Sequence, residues 1–267
     1  MSVLKVENLS LKKGDHHILK EMSFTLEANK ILGIVGQSGS GKSMLSKSLL
    51  GLHPPAHFNM EGQIRLGRQL ISPKEFPKIR GCEIGLIHQN PMTAFNPVVK
   101  LKKQIADVYQ SHFKVSRRQA YEDIKSFIKG FGFEDVDRVM EAYPHELSGG
   151  MLQRLSIATL LLIKPKVLIA DEITTALDPN TKKEIVSLLL NIQKEYKMSI
   201  LFVSHEVAIL KEISHDLLVI DKGGIVDRGS VAYITSESTH PVSRLLFGQG
   251  LSEEVAYVET RKDKQIV

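Results

Sequence analysis

Three glycines, a lysine and a serine stand at set intervals in GQSGSGKS, residues 36–43. Gly36, Gly39 and Gly41 let the backbone turn tightly, so successive N–H groups can converge on phosphate oxygens. Lys42 is then placed to reach the β- and γ-phosphates of a nucleotide, and the Ser43 hydroxyl to ligate Mg²⁺. The whole stretch Gly36, Gln37, Ser38, Gly39, Ser40, Gly41, Lys42, Ser43 and Met44 is therefore expected to line the phosphates. A glycine-rich turn with an incidental lysine would not supply the full GxxxxGKS spacing.

A second reactive pair, Asp171 and Glu172, ends the apolar run VLIA at 167–170. Strand alternation would send the two carboxylates to opposite sides of the chain, where they can take different roles. Asp171 suits Mg²⁺, held directly or through water, and Glu172 suits a general base that polarises an attacking water. Alone, the pair reads better as a solvated strand end. Following a phosphate loop, it reads as the hydrolytic half of the same chemistry.

These groups need rigid supports, and the surrounding pattern provides them. Ile31–Val35 and Val167–Ala170 are short continuous apolar runs, as expected of parallel strands buried on both faces. A helix is expected over Met44–Leu52, its positive N-terminal dipole end facing the phosphates. Further strands are expected at GLIHQ (85–89), Ile200–Ser204, Leu217–Asp221 and Gly224–Arg228, the last two joined by a Lys-Gly-Gly turn. GQIRLG (62–67) reads as hairpin-like. Helices are expected over Leu101–Phe113, Arg117–Lys129 and Leu155–Ile163. Ile185, Leu188, Leu189 and Ile192 fall at helical spacing and form the core face of another.

With LSGGMLQR at 147–154 added, the ordered segments resemble the ATP-binding cassette (ABC) ATPases over nearly the whole chain. The resemblance implies an α/β fold: a P-loop NTPase (RecA-like) core, an N-terminal antiparallel β subdomain and an inserted α-helical subdomain. It implies that Ser148, Gly149 and Gly150 contact the γ-phosphate of ATP held by a partner's phosphate loop. Physically, the glycine pair frees backbone N–H groups at a helix start, a second anion site. By the same resemblance Gln89 senses Mg²⁺ and water and adjoins the transmembrane contact. Thr175–Asp178 couples the two sites of a dimer, and His205 contacts the γ-phosphate. Catalysis is thereby assigned to Glu172, His205 and Lys42; nucleotide contact extends to Gln89 and Asp178; Ser43, Gln89 and Asp171 hold the metal.

Two departures from the family pattern stand out. Leu9–Leu19 (LSLKKGDHHIL) contains no aromatic residue to stack on adenine; His16 or His17 could stack instead, or the pair is a solvated turn. Ile173 occupies the place where proline commonly follows the glutamate, a loop change expected to have little effect.

PMTAFNP (91–97) resembles a segment of oligopeptide-, dipeptide- and nickel-importer ATPases, and HPVSRLL (240–246) their HPYT-type segment, with Val242 and Ser243 departing. Leu152 brings the signature closer to the nickel importers. The cargo stays open between nickel, another metal chelate and peptides. The ten histidines are scattered and make no nickel site. A lone cysteine, Cys82, excludes a cysteine-held iron–sulfur centre and internal disulfides; it suits a reducing cytosol and reads as a packing residue.

The expected cassette spans 1–251, with 1–89 and 155–230 as core and β subdomain, 90–154 helical, and 231–251 as the subfamily segment. The charged tail at 252–267 is expected to be loosely ordered. At 267 residues and 42% hydrophobic content the chain can bury a large core. No apolar run approaches the roughly 20 residues that cross a bilayer, and Met1–Ser10 lacks a secretory pattern. A net charge of +5, dispersed and without a recognised module, gives no reason to expect nucleic acid as a partner. The implied cofactors are ATP and Mg²⁺. The implied partners are a second cassette, identical or related, permease subunits and, indirectly, an extracytoplasmic solute-binding protein. Such a chain would sit peripherally on the cytoplasmic face of the cell membrane. A non-transport ABC ATPase would carry a coiled-coil insertion, zinc cysteines or a second cassette. An idle regulatory subunit would lack Lys42, Asp171 or Glu172.

Overall fold

The structure, a computed structural model, describes residues 2–175 and 177–248. The tail expected at 252–267 lies outside the described residues. Ten strands and nine α-helices occur among those described, in the order β1 (Ser2–Lys13), β2 (His16–Glu27), β3 (Ile31–Val35), α1 (Lys42–Ser48), β4 (Asn59–Leu66), β5 (Gln69–Leu70), α2 (Phe76–Ile79) and β6 (Ile84–Ile87). There follow α3 (Leu101–His112), α4 (Arg117–Ile128), α5 (Val136–Glu141), α6 (Gly149–Leu161), β7 (Val167–Asp171) and α7 (Pro179–Glu195). The chain closes with β8 (Ser199–Val203), α8 (Val207–Ile213), β9 (Asp216–Asp221), β10 (Gly224–Ser230) and α9 (Pro241–Phe247).

Two sheets result. An antiparallel sheet in the order β2-β1-β4-β5 carries the N-terminal third. A second sheet, ordered β10-β9-β3-β8-β7-β6, is parallel except for β10 at its edge. The apolar runs explain the second sheet directly. Ile31, Leu168, Ala170, Ile200 and Phe202 face one core with the helices, while Leu32, Ile34, Val167, Ile169, Leu201 and Val203 face another with the antiparallel sheet. Strands with both faces covered have no polar side to show, so they read as unbroken apolar segments.

Local details refine the expected elements. α1 starts at Lys42 and ends at Ser48, earlier at both ends than the expected Met44–Leu52. β6 stops at Ile87, leaving Gln89 two residues beyond it and exposed. Residues 62–66 are strand; the hairpin turns after them, at Gly67, with β5 returning. The β9–β10 turn is Lys222–Gly223, both at positive φ (45° and 83°), which suits the twist of a two-residue hairpin. α6 runs unbroken across residues 154 and 155. Cys82 is half-buried, its Sγ 3.3 Å from His112 Nδ1. Among the described residues no helix is long and apolar enough to cross a membrane.

Candidate nucleotide site

The phosphate loop leaves β3 and enters α1, and its glycines are required by close approach. A Cβ on Gly36 would lie 2.2 Å from the Ile220 carbonyl oxygen and 2.6 Å from Ser40 Oγ. Gly39 and Gly41 take φ of 78° and 105°, which favour glycine. The β9–β10 turn straps the loop from outside: Gly223 N–H donates to the Ser40 carbonyl (3.1 Å), and the Gly223 carbonyl accepts from Lys20 N–H (2.7 Å). Ser40 Oγ is buried without a hydrogen-bond partner, a polar atom of the kind a bound anion satisfies. Gln37, Ser38 and Gly39 are exposed, and Met44 is half-buried on the first turn of α1.

Lys42 is 5% exposed and donates to the carbonyls of Gly36 (2.8 Å) and Gln37 (2.9 Å), closing the loop on itself. Burial pulls its ammonium below the ordinary lysine value, against the upward pull of Glu172 and Asp171. Such a cation, short of solvent, is stabilised by phosphate charge.

The two carboxylates at the end of β7 do separate, with different partners. Asp171 Oδ1 accepts a hydrogen bond from Ser43 Oγ at 3.2 Å. Burial pushes the Asp171 carboxyl above its ordinary value; the Ser43 bond opposes this, and nearby His88 and Lys47 pull the same way as Ser43. Ser43 and Asp171 thus offer a hydroxyl and a half-buried carboxylate side by side, a hard oxygen donor pair that fits Mg²⁺. Glu172 turns away by a sharper device than strand alternation. Its φ is 51°, while its N–H still donates to the Val203 carbonyl at 2.9 Å. A non-glycine residue in this region is uncommon, and such strain collects at functional sites. The turn leaves Glu172 Oε1 3.9 Å from Lys42 Nζ and 3.7 Å from His205 Nδ1. Phosphate loop, β7 and β8 therefore converge on one carboxylate.

Several partners in this arrangement had no signal in the sequence. Glu206 accepts from Thr174 Oγ1 (2.8 Å) and Lys182 Nζ (2.6 Å), and its N–H donates to Ser204 Oγ (2.9 Å). This network fixes the turn carrying His205 against the segment after Glu172. Burial favours a raised Glu206 pKa, but the bonds and charge from Lys182 and Thr174 outweigh it and hold the carboxyl below its ordinary value. Ile173 follows β7 in a turn, as the loop reading expects, and at 1% exposed it is packed into the core.

The signature segment lies on another element. Ser148 caps α6, its Oγ accepting from Met151 N–H at 3.2 Å, with Gly149 and Gly150 as the first helical residues. A Cβ on Gly150 would lie 2.5 Å from Thr181 Cγ2, whereas one on Gly149 would meet nothing within 4 Å. Thr181 belongs to the first turn of α7, which Asp178 caps by accepting from Asn180 and Thr181 N–H groups (both 3.1 Å) and from Thr181 Oγ1 (2.5 Å). Asp178 and the signature are thus joined through Thr181. No hydrogen bond or ion pair joins Ser148, Gly149 or Gly150 to residues 36–43 among the described residues. Gln89 and His205 are exposed, and His16 and His17 stand exposed at the start of β2.

This combination, a glycine loop between β3 and α1 facing carboxylates at the end of β7, defines a phosphate-loop ATPase. The ABC transporter family profile matches residues 19–175, and the chain belongs to that family, as an ATP-binding subunit. It is 36% identical to the oligopeptide transport ATP-binding protein OppD of Bacillus subtilis, over 90% of this chain and 69% of that one. The metal-staphylopine import system ATP-binding protein CntD of Staphylococcus aureus is 32% identical over 92% of each chain. Among solved structures, CbiO1 of Clostridium perfringens, part of the ABC transporter complex CbiONQ, superposes with a TM-score of 0.76 at 27% identity, covering 88% of this chain and 91% of that one.

Proposed function

We propose that the chain hydrolyses MgATP at an interface between two cassettes and thereby powers uptake through membrane permease subunits. The observation that carries this reading is the position of Glu172 Oε1, between Lys42 Nζ and His205 Nδ1 at 3.9 and 3.7 Å. Residues 36–44 hold the phosphates, with Lys42 turning from the Gly36 and Gln37 carbonyls to the β- and γ-phosphates. Ser43 and Asp171, joined by Gln89, hold Mg²⁺, which when bound neutralises charge on the phosphate oxygens. Glu172 takes a proton from water as the water oxygen bonds to the γ-phosphorus and the bond to the β,γ-bridging oxygen breaks. His205 and Lys42 offset the charge on the γ-phosphate oxygens.

Ser148, Gly149 and Gly150 serve the partner's nucleotide: Ser148 caps its own helix, and among the described residues no hydrogen bond or ion pair ties the three to the phosphate loop of the same chain. Asp178, linked to Gly150 through Thr181, relates the two sites. Nucleotide closes the pair only by binding the closed state more tightly than the open one. Loss of the γ-phosphate removes that difference and the pair opens. The exposed segment around Gln89–Pro97 and the helices after it form the contact with the permease. The chain then sits peripherally at the cytoplasmic face of the membrane, with a solute-binding protein delivering the cargo outside.

The cargo class is a metal chelate or a peptide, by likeness to the relatives named for metal-staphylopine import and oligopeptide transport. Reconstitution of the chain with its permease subunits, with uptake of labelled peptide and of chelated nickel measured against ATP, tests the proposal. Hydrolysis without uptake of either class would refute the transport role, and no hydrolysis would refute the enzymatic one.

A further inference from the structure

The residues so far assigned grip phosphate and leave the nucleoside without a wall. His16 and His17 are exposed at the start of β2 and pack on no other ring among the described residues. Another ring pair is tied to the helix that leaves the phosphate loop. His53 Nε2 lies 2.9 Å from Ser48 Oγ and 3.2 Å from the Met44 carbonyl oxygen, both on α1. Met44 is only two residues, about 3 Å of helix rise, beyond Lys42. The Phe58 ring packs on His53 with centroids 5.0 Å apart, and burial lowers the His53 pKa, which favours its neutral ring.

Phe58 keeps part of its surface open, and what stands over its ring is the ammonium of exposed Lys13, 5.9 Å from the centroid. An exposed ammonium at that distance is a weak contact, on a long flexible stem that moves aside readily. Ile18 and Met44, both half-buried, rim the same apolar cluster as Phe58. The Ile18 carbonyl backs onto the phosphate loop and its strap, 3.4 and 2.3 Å from where Cβ atoms of Gly41 and Gly223 would lie. Ile18 thus backs onto the phosphate loop and its strap, while Phe58 is joined through His53 to the Met44 turn of α1.

We propose that Phe58 is the aromatic platform for the purine base of the bound nucleotide, with Ile18 and Met44 flanking it and Lys13 yielding its place. The inference rests on the nucleotide reading above and adds the residue that holds the base. It explains how a chain with no aromatic side chain in Leu9–Leu19 retains a stacking surface: the ring comes from the segment after α1. Phe58 touches the base and takes no part in the phosphate chemistry, so its loss should act on the nucleoside alone.

Calorimetric titration of the full chain with Mg²⁺ and either ATP or inorganic tripolyphosphate separates the two halves of the ligand. Phe58→Ala is expected to weaken ATP by about 5- to 150-fold, the range that about 1–3 kcal/mol of base stacking gives at 1.4 kcal/mol per tenfold. Tripolyphosphate should bind as tightly as to the wild type, which also shows that the variant is folded. Phe58→Trp should recover ATP affinity, and His16→Ala/His17→Ala should leave both ligands unaffected. Unchanged ATP affinity in Phe58→Ala would overturn the proposal, as would equal losses for both ligands, since Phe58 would then only support the loop. Weakening by the double histidine substitution alone would transfer the platform to that pair. A wild-type chain that binds neither ligand would remove the nucleotide site itself, a failure distinguishable from these.

Discussion

Glu172→Gln removes a proton acceptor while keeping the side chain's shape. The backbone at 172 sits at φ 51° with its N–H bonded to the Val203 carbonyl, and glutamine meets those demands as well as glutamate. Two interactions change. Loss of the general base costs about 10²- to 10⁴-fold in rate, or about 3–5 kcal/mol of barrier. Loss of the charge 3.9 Å from Lys42 Nζ removes an attraction of about 4 kcal/mol at an effective dielectric constant of 20, an upper figure for a site open to water. Lys42 then has one fewer carboxylate competing with phosphate for its ammonium. Turnover should therefore fall by at least about 100-fold while ATP binds equally well or more tightly. Phosphate release under saturating MgATP measures the first effect and equilibrium nucleotide binding the second. Turnover within about threefold of the wild type would refute the base assignment. Parallel loss of binding and turnover would show that Glu172 only supports the loop.

Four further expectations concern the supports of the site. Glu206→Gln should flatten the acid side of the stability curve. The carboxyl is held below its ordinary value of 4.5, so its stabilisation is complete above about pH 4.5 and is lost as pH falls through the lowered folded value; denaturation at pH 7 and pH 4 measures the difference. Gln153→Leu should raise stability by about 1–3 kcal/mol in chemical denaturation, because Gln153 is 0% exposed with neither amide atom hydrogen-bonded. Gly150→Ala should cost about 1–3 kcal/mol, since its Cβ would meet Thr181 Cγ2 at 2.5 Å. Gly149→Ala has open space at its Cβ and should leave thermal stability unchanged or slightly higher, yet weaken ATP-dependent pairing if a phosphate approaches that backbone.

The parts of this fold legible in the sequence are those that local chemistry determines. Ile31–Val35, residues 167–170 and residues 200–203 are unbroken apolar runs because both faces of their strands are covered, and the glycines of 36–41 are dictated by turn geometry and by the Ile220 carbonyl. Helices α3, α4 and α7 follow from apolar spacing, reinforced at α4 and α7 by Ser116 and Asp178 as caps. Pairings between distant segments left no such mark. Glu206 meets Lys182 and Thr174, 24 and 32 residues away, and nothing in the dipeptide His205–Glu206 names those partners. The separation of Asp171 from Glu172 was expected from strand alternation, but the strand ends at Asp171 and a positive φ supplies the turn. Gly150 showed as a helix-start glycine; its packing on Thr181, which ties the signature to Asp178, required the fold. The strand expected to reach Gln89 stops at Ile87, before Pro91 begins the next turn.

In the proposed function each hydrolytic site is divided between two chains, with residues 36–44 and Glu172 on one and Ser148–Gly150 on the other. Mixing Lys42→Ala chains with Ser148→Arg chains, each inactive as a pair of identical subunits, probes this division. A mixed pair contains one site with both defects and one with neither. ATP hydrolysis should return on mixing, in proportion to the fraction of mixed pairs measured by cross-linking. Mixed pairs that form and stay inactive would place the whole site within a single chain.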